Sequence, residues 1–207
     1  MKDFSVSMAI VDFVPVILFV IGAILLQRDL YNKMSKGAFA LFAAGTIDII
    51  LAGSLKALYK LLYALNVCDF TPLSEMFFPV QSIGALLAGL GVIAMLTHKQ
   101  KETRVMAVAP VAFSGTFIFV SFLMVGFGCL NFGLIPLAKK LRKPAAIVLL
   151  IVSFVLLMGM GYLSSKDFSE AAMNWVAQGV NIGAQAAFVL AVCILHKAGL
   201  KDLKLEK

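Results

Sequence analysis

The sequence predicts an all-α integral membrane protein, a polytopic helical bundle of seven spans built as two three-helix repeats plus a linking helix. Three observations predict it. The 207 residues are 61% hydrophobic and only 14% charged, whereas a soluble domain is about half apolar and about a quarter charged. The apolar runs are continuous and close to a bilayer's thickness in helical length, as in Phe13–Leu26 with its flanks and Ala145–Met160. The basic residues gather in short stretches between those runs. In lipid a backbone must satisfy its own N–H and C=O groups, so only helices and closed barrels cross. Barrel strands would alternate apolar and polar residues over about ten positions, and these runs do not alternate.

Six segments stand out, at roughly 5–27, 37–64, 76–97, 105–138, 144–163 and 171–196. No polar stretch between them is long enough for a separate soluble domain. The first run is long and has no small-residue cleavage site before the second, so it reads as a retained span. The fourth is the difficult one, because Val105 to Ala138 runs 34 residues without a charge. One untilted span needs about 20 residues, so this is long for one crossing and short for two.

The basic residues bear on that choice. Fourteen of the 18 Lys and Arg fall in four clusters: Arg28/Lys33/Lys36, Lys99/Lys101/Arg104, Lys139/Lys140/Arg142/Lys143 and Lys197/Lys201/Lys204/Lys207. If 105–138 crosses twice, all four lie on one side of the membrane. If it crosses once, the second and third face opposite sides. Short loops keep their Lys and Arg in the cytoplasm, which favours seven spans over six. A turn near Ser114-Gly115-Thr116 or Gly126-Phe127-Gly128 would divide the segment, with Pro110 loosening its first part. The units expected are 1–99, a linking helix at 100–121, and 122–207 with a short basic tail. The N-terminus is then outside and the C-terminus cytoplasmic, in a cell membrane.

An internal repeat supports the same layout. Lys33-Met-Ser-Lys36-Gly-Ala echoes Lys140-Leu-Arg-Lys143-Pro-Ala, each opening an apolar helix. Asp69-Phe70 followed by Glu75 echoes Asp167-Phe168 followed by Glu170, Met76 to Gln81 echoes Met173 to Gln178, and His98-Lys99 echoes His196-Lys197. The plainer account is that apolar helices with basic inner loops and acidic outer loops resemble one another. In its 3+1+3 layout the chain resembles the SWEET and PQ-loop carriers. The resemblance is one of layout alone: the Pro-Gln dipeptide is absent, Pro79-Val80-Gln81 is not it, and no family is assigned.

Polar groups within the spans are the functional candidates, because each is costly in lipid and faces the protein interior. Asp48 lies near the middle of the second helix. It is either a titrating site for proton or cation coupling, or a neutral acid bonded to a neighbouring helix. Asp12 and Lys56 lie at similar depths on antiparallel helices and are expected to form a structural ion pair, the alternative being that Lys56 and Lys60 snorkel outward. The most specific pattern is Asn174, Gln178, Asn181 and Gln185, whose spacing of 4, 3 and 4 places four amides on one helical face. Amides donate and accept, so such a stripe suits a polar cavity; interhelical bonding is the competing reading. Gln81 is its counterpart in the first repeat. Trp175 reads as an outer-interface anchor, and the small-residue pairs Gly179/Gly183, Gly84/Ala88 and Ala85/Gly89 as close helix packing.

Catalytic chemistry finds no support. There is no Ser/His/Asp arrangement, no HExxH and no glycine-rich phosphate loop, and His98 and His196 read as interfacial residues. Cys68, Cys129 and Cys193 show no metal spacing. No enzyme activity, cofactor or metal is expected. The net charge of +7 belongs to the loops and points to anionic lipid heads rather than nucleic acid. The function expected is a small-solute transporter or channel, with Asn174, Gln178, Asn181, Gln185, Gln81 and Asp48 as ligand-binding residues. The alternative is a receptor-like or accessory subunit that binds a ligand or partner without transport. Expected partners are membrane lipid, a small polar solute, and a second copy or a cytoplasmic protein.

Overall fold

A computed structural model describes residues 5–97, 116–163 and 171–205. Among them it contains eight α-helices and no strand: α1 Val6–Val11, α2 Phe13–Leu30, α3 Lys36–Ala64, α4 Pro72–Glu75, α5 Phe77–Thr97, α6 Thr116–Lys140, α7 Pro144–Leu163 and α8 Ala171–Lys197. Five stretches are long and apolar enough to cross a membrane: Val6–Lys33, Lys36–Ala64, Pro72–Thr97, Ile118–Lys140 and Ala172–Lys197. Pro144–Met160 adds a shorter apolar helix. Every long helix also exposes large apolar side chains, among them Ile17, Leu51, Leu90, Phe132, Val155 and Leu190. An outer surface of this kind suits contact with acyl chains.

Proline sets two of the helix boundaries. Pro15 has no N–H for the carbonyl of Val11, and its ring crowds that group; α1 ends at Val11 and α2 begins one residue past Asp12. Pro79 bears the same relation to Glu75, the last residue of α4. Ser35 caps α3 by accepting from the Ala38 N–H at 3.2 Å. At the other end of α3, Asn66 adopts φ 55° and Val67 N–H reaches Leu62 O at 3.0 Å. Arg142 closes α6 in the same way, with Lys143 N–H on Ala138 O at 2.9 Å, and Pro144 then starts α7.

The six long helices form a closed ring in chain order, each packed on its sequence neighbours, with α8 closing on α2. Four of the contacts are antiparallel. Gly53 of α3 meets Val16, Gly45 of α3 meets Gly84 and Ala88, Gly128 of α6 meets Phe154, and Gly183 of α8 meets Leu156. Two seams are parallel. Gly126 and Gly133 of α6 lie against Ala85 and Val92 of α5, and along α8 Gln178, Phe188 and His196 meet Asp12, Gly22 and Asp29. Along the chain the long helices thus alternate in direction except between α5 and α6, and the ring closes at the second parallel seam, between α8 and α2.

This topology gathers Arg28, Lys36, Lys140, Lys143 and Lys197 at one end of the bundle, here termed the basic end. The interior of that half is solid, with Leu26, Phe42, Met95, Leu134, Leu150 and Leu195 almost wholly buried. The chain beyond α8 folds back under it. Gly199 turns with φ 83°, a conformation open to glycine at no steric cost, and seats Leu200 at zero exposure. Lys33 Nζ then donates to Lys201 O at 2.7 Å.

Two expectations change. Gly126-Phe127-Gly128 is not a turn but mid-helix in α6, where the glycines admit neighbouring helices. The expected boundary between residues 121 and 122 also falls inside α6, because that helix already begins at Thr116. The rest of the expected linking helix, the turn at Ser114-Gly115, the cluster Lys99/Lys101/Arg104, and the repeat residues His98, Asp167 and Glu170 lie outside the described residues.

Candidate functional site

In the half of the bundle away from the basic end, the packed core gives way to a cavity of about 570 Å³. This lies within the range of small-molecule sites. All six long helices contribute to its wall. It reaches from Ile49 and Gln185 near mid-bundle to Ser74 and Asn174 near the far end. Much of the wall is apolar, including Phe19, Ile49, Leu123, Met124, Phe127 and Leu157.

The polar part is concentrated on α8. Asn174, Gln178, Asn181 and Gln185 all line the cavity, and Gln81 of α5 joins them. Three of the amides are nearly buried, Asn174 at 8%, Gln178 at 4% and Gln185 at 7% exposure. The helical period places them together, since steps of three and four residues return to one face. Trp175 lies off that face with its ring exposed.

The charged groups form a second cluster at the wall made by α1, α2 and α3. The break before α2 leaves Asp12 at the corner between two helices. Its Oδ1 accepts from Gln178 Nε2, and its Oδ2 pairs with Lys60 Nζ at 2.6 Å. This corrects the expected Asp12–Lys56 pair: the partner is one turn further along α3. Lys56 instead sets its ammonium 4.0 Å from the centroid of Phe77 and 5.9 Å from that of Phe78, within range of a cation–π attraction. It pairs with no carboxylate among the described residues. Tyr59, also on the wall, donates from its hydroxyl to Asp69 Oδ1 at 3.0 Å and so ties the α3–α4 connection to the site.

Asp48 does not line the cavity. It is half-buried on the α3–α5 contact, its Cβ against Gly84, at the border of the face that α3 turns outward. Ile49 and Ile50 occupy the cavity wall in its place. Lys60 and Tyr59 are wall residues that the sequence reading did not include, although Lys60, four residues after Lys56, shares its helical face.

A separate polar knot closes the basic end of the α2–α8 seam. Asp29 is 1% exposed and accepts from His196 Nδ1 at 2.7 Å, while Arg28 Nη2 donates to His196 Nε2 at 2.7 Å. The proton placement on His196 follows from these partners. His196 is thus an interhelical tie as well as a residue near the interface. No group of His, Cys, Asp and Glu suited to a metal ion occurs among the described residues.

Comparison with protein-family models, with curated proteins and with solved structures finds no significant match to this chain.

Proposed function

We propose that the chain is a seven-span small-solute carrier, with its substrate held in the cavity between the two three-helix units. The observation that carries this reading is the amide face of α8, turned into a cavity to which all six long helices contribute. An amide stripe that served only to bond helices would be consumed at a seam. Here Gln178 Oε1 has no partner among the described residues, so helix bonding does not use up the stripe.

Seven spans are the count that the parallel seam supports: α5 and α6 run in the same direction, so Thr97 and Thr116 lie at opposite ends of the bundle. We place the basic end in the cytoplasm of a cell membrane, where short loops keep their Lys and Arg. Two repeats meeting at two seams with a site between them is an arrangement that can alternate access by rocking.

A second reading has its own support. Among the described residues the core of the basic half is closely packed, which suits a receptor or accessory subunit that binds without transport. Flux separates the two. Purified protein is first screened by thermal shift against sugars, nucleosides, amino acids, vitamins and simple organic acids, beside Asn181→Leu. A stabilising compound is then followed into proteoliposomes. Uptake above empty liposomes supports the carrier, stabilisation without uptake supports the receptor, and no stabilisation by any compound ends both solute-binding readings and leaves the subunit that binds a partner protein.

A further inference from the structure

The charge of the cavity wall narrows the class of solute, on the premise that the cavity is a small-solute site. Among the described residues its charged side chains are Asp12, Lys56 and Lys60. Asp12 and Lys60 pair at 2.6 Å, with side-chain exposures of 16% and 11%. Lys56 rests on the faces of Phe77 and Phe78 and pairs with no carboxylate among the described residues. A cation removed from water without an anionic partner is costly, and a ring face at 4.0 Å offsets a minor part of that cost. On the α8 wall Gln178 gives its N–H to Asp12, and Asn181 and Gln185 add amides that both donate and accept. The surface between them is largely apolar and built from large side chains.

We propose that the cavity selects a monovalent organic anion: a ring-sized apolar body carrying one carboxylate toward Lys56 and one neutral N–H or O–H donor toward the amides of α8. A carboxylate would make the charge of the wall and its occupant sum to zero. A zwitterion would leave the excess positive charge in place, and an amine would double it. Phe77, already under the ammonium, would extend the apolar surface on which the body rests. A phospholipid shares the anionic head and apolar body, but a cavity of about 570 Å³ holds a compact molecule and not two acyl chains.

The test uses four probes on one skeleton: indole-3-propionate, its primary amide, the corresponding amine, and the amino acid tryptophan. Binding to the detergent-purified chain is followed by thermal shift and by calorimetry. The carboxylate is expected to bind at least about tenfold more tightly than the amide, since a hydrogen bond to a charged group is worth more than a neutral one. Lys56→Met is expected to abolish that preference, and Asn181→Leu to weaken the indole acid relative to its N-methyl derivative. Should Lys56→Met not yield a monodisperse protein, the wild-type ranking of the four probes decides alone. Tighter binding of the amine or of tryptophan overturns the inference, as does stabilisation by phosphatidylglycerol but not by the carboxylate. A response to neutral sugars or nucleosides with none to the carboxylate also overturns it, yet leaves the carrier reading standing. Silence toward every compound overturns both.

Discussion

Asp12 and Asp29 sit at opposite ends of the first span and are held in different ways. Asp12 lies at a helix break, with Lys60 and Gln178 as partners from two other helices. Asp29 is inside a helix, fully enclosed, and anchors His196 across the α2–α8 seam. Removing a buried acceptor strands the donors that faced it. Asp29→Ala should therefore destabilise the chain by about 1.5–3 kcal/mol, read as a fall of several degrees in Tm in detergent. Its distance from the cavity predicts unchanged affinity for any solute found by screening. Asp48→Asn is expected to leave solute affinity unaltered as well, because that side chain lies on the α3–α5 contact and not on the cavity wall. A loss of binding in that variant would show that α3 turns a different face inward.

At the scale of elements, α5 is the helix most closely held, and small residues are the reason. Gly84 and Gly91 admit α3 on one side, while Ala85 and Gly89 admit α6 on the other. A Cβ built at Gly45 or Gly126 would meet backbone atoms of α5, which cannot move aside as a flexible side chain can. Gly45→Val and Gly126→Val should each cost about 1–3 kcal/mol or prevent folding. Gly179→Ala is the control: nothing lies within 4 Å of that position, and the substitution should leave Tm within a degree or raise it through better helix propensity. The GxxxG spacing at Gly179/Gly183 thus differs from the small-residue pairs of α5. Gly179 is exposed, and a Cβ added at Gly183 would make only ordinary contact with Leu156, at 3.4 Å. Spacing alone permits close approach but does not supply a neighbour.

For the whole molecule, the ring of six helices makes a sidedness prediction that needs little engineering. Native Cys68 is exposed beyond α3, at the end opposite the basic residues, while Cys129 and Cys193 are partly buried within helices. In intact cells an impermeant maleimide should label Cys68. In a Cys68→Ser background, Ser35→Cys or Arg142→Cys should react only after permeabilisation. The reverse pattern would invert the proposed orientation, and labelling of positions 35 and 142 from different sides would break the parallel seam itself.

The sequence by itself determined that the chain is a helical membrane protein, where most of its helices lie, and that four amides share a face of the last one. Continuous apolar length, loop charge and a three-to-four-residue polar period are local signals, and local signals survive without tertiary contacts. Which way each helix turns was decided only in the folded bundle. Lipid and protein core are both apolar, so most of these helices carry no polar face to mark the inside; α2 is apolar at buried Phe19 and exposed Ile17 alike. The rotation and axial shift of α3 come instead from small residues fitting against α2 and α5. That fit sets Asp48 beside Gly84, brings Lys60 to Asp12, and leaves Lys56 on Phe77. Rotation about a helix axis and a shift of one turn along it barely change how much apolar surface is buried. They are fixed by steric complementarity between helices, which exists only once both partners are in place.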